Sequence, residues 1–249
     1  MYHFRALMPP GVDRDSVATM AANQMRDATV RFGVTAETTD VVEHLYDDLL
    51  FALDKHLSEF PYLLGGRPSI ADFGMIAPLY GHLGRDPYPL KLMREKGIHV
   101  YRWVERMNRI DPDCFEFPEH TSDLFPIDHI PDSLIEVLST LAEDFVPETI
   151  AAAAQINAWL DDQPDLSSGS QVRRGVGQAA FKIRGVSISA LAQPYRFYLL
   201  ARVQEAFDAI PKSRRARITE ILERANMTSI LSARLNRGIR REANLEVWE

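Results

Sequence analysis

The stretch Phe60-Pro61-Tyr62-Leu63-Leu64-Gly65-Gly66-Arg67-Pro68-Ser69-Ile70-Ala71-Asp72-Phe73 decides how this chain is read. Its prolines and paired glycines interrupt any helical period and mark a tight connection. Ser69 then opens a helix. As N-cap its hydroxyl accepts from the backbone N–H of Asp72, while the Asp72 carboxylate reaches back to the N–H of Ser69, a reciprocal capping box. A helix start sunk in a core has no water for its unpaired N–H groups, so side chains must serve them. The helix continues past Met75, Ile76, Leu79 and Leu83, with a kink predicted at Pro78.

Working outward, the preceding helix begins near Thr39. Val42, Leu45, Leu49, Leu50, Leu53 and Leu57 make its apolar stripe, set against Glu43, Asp47, Asp48, Asp54 and Lys55. Before it, Asp13 or Asp15 caps a helix running to about Phe32, ended by Gly33. After it come helices predicted at about 88–96 and 98–109, the second carrying Val100, Trp103, Val104 and Met107 on one side. Successive helices without a strand indicate an all-α bundle.

From 111 to 132 the periodicity stops; Pro112, Pro118, Pro126 and Pro131 among many acids read as a connector. Beyond it the pattern predicts helices at 132–144 and 147–162, the second with Pro147 in its first turn. A short β-hairpin around Gly185 follows, then helices at 193–210, 212–225 and 228–238, with a possible strand in the tail from Asn244. The fold class is therefore mainly all-α. Residues 1–110 form the first domain, 111–132 the connector and 133–249 a mostly helical extension with short strands.

The 60–73 segment resembles the entry into the central buried helix of the glutathione S-transferase C-terminal domain: leucine, glycine, then proline, Ser or Thr, two residues and Asp. An amphipathic helix precedes it, and Trp103 to Met107 follow, resembling the tryptophan-bearing helix of that family, with Gly97-Ile98-His99-Val100 where a proline is usual. The resemblance covers 14–110. It implies a transferase family protein read from its acceptor-substrate side, with Tyr80 and His82 as weak candidates for lining an acceptor pocket and with glutathione as the cosubstrate. Members begin with a thioredoxin-like domain bearing a catalytic Tyr, Ser or Cys, a cis-proline and an acidic-Ser pair. None can be placed here, and Val146-Pro147 reads as a helix-start proline. No catalytic residue, and no cofactor bound by this chain, is expected. Residues 131–249 resemble the long C-terminal extensions of some bacterial transferase-like proteins.

The 249 residues are 46% apolar and 25% charged, a soluble globular composition. No run approaches the ~18 apolar residues of a membrane span, and the first ten residues lack a signal peptide's apolar core, so a cytoplasmic location is expected. The single cysteine, Cys114, lies among acids and excludes an intrachain disulfide. The net charge of −7 conceals an asymmetry: residues 1–170 carry 13 Lys/Arg against 28 Asp/Glu, and 171–249 carry 15 against 7. Attraction between the two parts is the expected consequence, with Tyr195, Phe197, Tyr198, Leu199, Val203 and Phe207 on a helix buried on more than one side.

Other constellations carry less. Gly175-Val176-Gly177 resembles the start of a dinucleotide loop but lacks a third glycine, and fits a strand edge. His120, Asp123, Asp128 and His129 lack the helical spacing that preorganises ligands, so no metal is expected. Glu43, Asp47 and Asp48 read as a solvated face. Arg173, Arg174, Lys212, Arg214, Arg215, Arg217, Arg234, Arg237, Arg240 and Arg241 raise nucleic acid as a partner, but aromatic interleaving is sparse and the protein is acidic. The expected partners are a thioredoxin-like domain or a second copy of the chain, with no membrane. A non-enzymatic helical scaffold is the alternative function.

Overall fold

The computed structural model describes residues 8–109, 116–126 and 129–249. Cys114 and Asp128 lie outside them. Two compact units emerge, each drawing on both halves of the sequence: one from 1–42, 146–209 and 230–249, the other from 43–145 and 210–229.

The second unit holds most of the helical bundle. Helix α2 (Thr39–Glu59) turns its leucine stripe inward, and Leu50, Leu53 and Leu57 are fully buried. With Leu79, Met93, Val100, Trp103, Val104, Leu134 and Val137 they form one core. Helix α3 (Ile70–Pro78) passes at Pro78 into a π turn, Leu79–Leu83. Proline removes one intrahelical bond, and the π turn begins at the next residue. Helices α4 (Pro87–Lys96) and α5 (Ile98–Met107) follow. The start of α5 has Gly97 as its N-cap, which has no side chain to accept from the first N–H groups; Asp54 on α2 does so, accepting from the N–H groups of His99 at 2.6 Å and Val100 at 3.3 Å.

Helix α6 (Asp132–Asp161) corrects the reading of two helices: Pro147 lies within one continuous helix. Buried Leu134, Val137 and Ala142 before it, and Ala152, Ala153 and Ile156 after it, hold both sides helical. Pro147 offers no N–H to the carbonyl of Glu143, four residues before it, and Glu143 is exposed. The proline marks the boundary between units, at 145/146, and not the end of a helix.

The first unit contains α1 (Arg14–Arg31), capped by Asp13 through the N–H groups of Asp15 and Ser16. Its antiparallel hairpin, β1 (Gln178–Ile183) with β2 (Val186–Leu191), turns at Arg184 and Gly185, both at positive φ. Alternate residues Ala179, Ile183, Ile188 and Ala190 face inward. Helix α7 (Tyr195–Ala209) buries Phe197, Leu200 and Gln204, while Tyr195, Leu199 and Val203 are exposed, against the expectation of a helix buried on several sides. Helix α8 (Lys212–Arg224) belongs to the second unit. The helix expected at 228–238 is a single 3-10 turn, Thr228–Leu231, followed by a second hairpin, β3 (Ile239–Glu242) with β4 (Leu245–Trp248). Gly175 and Gly177 lie where Val176 and Gly177 pair with Ala192, extending the first hairpin.

Candidate functional site

Asp72 is fully buried, and its carboxylate collects four donors. Oδ2 accepts from the backbone N–H of Ser69 at 2.9 Å and from the Ser69 hydroxyl at 2.8 Å; Oδ1 accepts from the N–H of Leu63 at 3.0 Å and from the indole N–H of Trp103 at 3.1 Å. The capping box at the start of α3 is closed in both directions. A buried carboxylate is tolerated where charge-assisted bonds satisfy its lone pairs. Asp72 thus joins three elements: the 62–66 connection, α3 and α5. The spacing of Ser69 and Asp72 signals only the local box; the bonds to Leu63 and Trp103 span 9 and 31 residues and have no local signature.

The connection itself is held from several sides. The Leu63 carbonyl accepts from His56 at 3.2 Å, and the Pro61 carbonyl accepts from Arg106 Nη2 at 2.7 Å. Gly66 N–H donates to the Asp123 carbonyl and Phe125 N–H to the Leu64 carbonyl, each at 2.8 Å. Arg106 is buried, bonded to Glu116 at 2.7 Å and stacked over Tyr62 and Phe117.

His56 is a site that sequence reading missed, because a histidine within a leucine stripe gives no signal of its partners. It is fully buried, with Phe60 and Phe125 against its ring. The Leu63 carbonyl can only accept, so Nε2 carries the proton and Nδ1 accepts from the Ser133 hydroxyl at 2.9 Å. Burial pushes its pKa down, outweighing the bond to Leu63 and the charges of Glu59 and Asp72. The unfolded chain therefore binds a proton at pH values where the folded chain does not. Stability is fully present above the ordinary value of about 6.5 and is lost as pH falls below it. We expect the melting temperature to drop between pH 7 and 5, and His56→Gln to flatten that drop; parallel curves would assign it to other groups.

Tyr80 and His82 share the π turn at the surface, both exposed, with the Arg85 guanidinium over the Tyr80 ring at 5.6 Å. Tyr80, just beyond the end of α3, follows a row of exposed residues along that helix. Ile70 is 90% exposed, Phe73 62% and Tyr80 41%, with exposed Ala77 between. Helical periodicity places these on one side, while Asp72, Met75, Ile76 and Leu79 turn inward. The expectation of a buried central helix therefore holds on one face alone.

The remaining candidates scatter. Asp47 pairs with Lys96 at 2.7 Å, whereas Glu43 and Asp48 are exposed. Beside Asp47 the Tyr46 hydroxyl is buried, and burial, helped by the Asp47 charge, pushes its pKa up to about 12. His120 packs edge-on against Phe60 and Phe117. Among the described residues no group of three His, Cys, Asp or Glu is placed to hold a metal, and no helix is long and apolar enough to cross a membrane. Several arginines of the basic segment meet carboxylates: Arg196 with Glu148, Arg224 with Asp132, Arg234 with Asp208, Arg240 with Glu242 and Arg241 with Glu246.

The match to known families falls on the same residues. The family model for the glutathione S-transferase C-terminal domain matches residues 18–111. No curated protein and no solved structure matches the chain at a significant level. The helices, the Ser69–Asp72 box and the Trp103 contact lie within the matched span, and residues 18–111 are a glutathione S-transferase C-terminal domain.

Proposed function

We propose that the chain supplies the acceptor-substrate side of a glutathione S-transferase family protein and leaves glutathione activation to a thioredoxin-like domain held against the exposed side of α3. The carrying observation is the row Ile70, Phe73, Ala77 and Tyr80 on a helix whose other side is fixed by a fully buried carboxylate. Large apolar side chains left in water on a rigid helix suit an apolar partner face. Activating a thiol needs a base or a lowered pKa near it; Tyr46, with its pKa raised, is the opposite of such a group. Tyr80 and His82, at the end of the row, are the proposed acceptor-side residues, and a cytoplasmic location suits the proposal.

A helical scaffold is the second reading, favoured by the other exposed apolar row, Tyr195, Leu199 and Val203 on α7. Two variants separate the readings. Phe73→Asp lies on an exposed surface and should change stability by no more than about 0.5 kcal/mol. It should abolish comigration with a glutathione-binding thioredoxin-like domain in gel filtration, whereas Leu199→Asp should not. Comigration lost with Leu199→Asp and kept with Phe73→Asp would favour the scaffold.

A further inference from the structure

In the first unit, a cleft of about 130 Å³ lies between α7 and residues 234–239. Its apolar lining comes from Phe197, Ala201, Leu235 and Ile239. The α7 wall adds two acceptors. Gln204, only 4% exposed, donates through Nε2 to the carbonyls of Ile230 at 2.7 Å and Ala233 at 3.0 Å. Both partners can only accept, so the amide cannot be turned over, and Oε1 is left as an acceptor without a donor among the described residues. Glu205 beside it is exposed and its carboxylate forms no bond there.

The facing wall is cationic and held in place. Arg234 gives Nε to the Leu231 carbonyl at 3.0 Å and Nη2 to Asp208 at 2.8 Å; Arg237 gives Nε to the Glu249 backbone oxygen at 2.6 Å and Nη1 to the Leu166 carbonyl at 2.5 Å. Each guanidinium thus keeps one terminal nitrogen, Nη1 of Arg234 and Nη2 of Arg237, for a further acceptor.

From this arrangement we propose that the cleft binds a small zwitterion, a single α-amino acid with an apolar side chain. Its ammonium meets Gln204 Oε1 and the Glu205 carboxylate, its carboxylate meets the two remaining guanidinium nitrogens, and its side chain lies on Phe197, Leu235 and Ile239. Charge-assisted bonds at both ends fix the orientation. The volume is below the roughly 300 Å³ at which drug-sized sites begin, which restricts the ligand to about one residue. Nothing in this assignment depends on the thioredoxin-like partner.

Titration calorimetry of the full chain tests it, with L-alanine, L-valine, L-leucine and L-methionine as probes. Saturable binding of at least one is expected, weakened tenfold or more in its amide, which lacks the carboxylate, and in its N-acetyl derivative, which lacks the ammonium. Glu205→Gln, which breaks no internal bond, should weaken it about tenfold, the scale of one charge-assisted bond, and Ala201→Phe should abolish it by filling the cleft. No binding by any probe at millimolar concentration, equal affinity for a derivative lacking one charge, or unchanged affinity in both variants would overturn the proposal.

Discussion

Asp72→Ala should destabilise the second unit by about 3–5 kcal/mol, the range for removing one partner of a buried, charge-assisted network. The carboxylate has no solvent access and serves four donors, two of them at the start of α3. Alanine would leave the N–H groups of Leu63 and Ser69 and the Trp103 indole without their acceptor, together with a void. At about 2–4 °C per kcal/mol for a chain of this size, the melting temperature should fall by roughly 10 °C. Ser69→Ala adds less than its single effect in that background, because both residues act in one box. Trp103→Phe removes one of the four donors and also leaves part of the indole's volume empty at a fully buried position, so it too should lower the melting temperature. An unchanged melting temperature in Asp72→Ala would refute the role given to this residue.

Gly66→Ala should be comparably damaging, for steric reasons. A Cβ there would sit 1.6 Å from the Thr121 carbonyl oxygen, and backbone on both sides must separate to admit it. The Gly66–Asp123 and Phe125–Leu64 bonds are what brings these strands of backbone so close. A loss on the order of 3 kcal/mol or more is expected. Gly74→Ala is the control: it lies in α3, exposed, with nothing within 4 Å of its added methyl. There alanine's helix preference should gain up to about 1 kcal/mol. Urea midpoints moving in opposite directions for the two variants would bear this out; equal midpoints would contradict it.

The sequence made the second unit legible wherever cause and effect lie within a turn or two. The leucine stripe of α2 and the Ser69-x-x-Asp72 spacing are of this kind, since helical periodicity and capping act over three or four residues. Pro147 was misread because proline's local preference for a helix start was overruled by apolar packing on both sides of it. The tail hairpin turns at Ala243 and Asn244, both at positive φ, without the Asn-Gly or Asp-Gly pair that announces such a turn. Gly66 reads as a turn residue, whereas its requirement comes from Thr121, 55 residues away. For the candidate sites the limit is the same. Gln204, Arg234 and Arg237 converge only through the path of the chain after α7, and no spacing in the sequence places them on one cleft.

We propose a division of labour: a transferase C-terminal domain that shapes the acceptor side while a thioredoxin-like domain holds and activates glutathione. Conjugation of glutathione to 1-chloro-2,4-dinitrobenzene by the purified chain tests it most directly. The account predicts a rate indistinguishable from the uncatalysed reaction; turnover above that rate, proportional to the concentration of the chain, would contradict it.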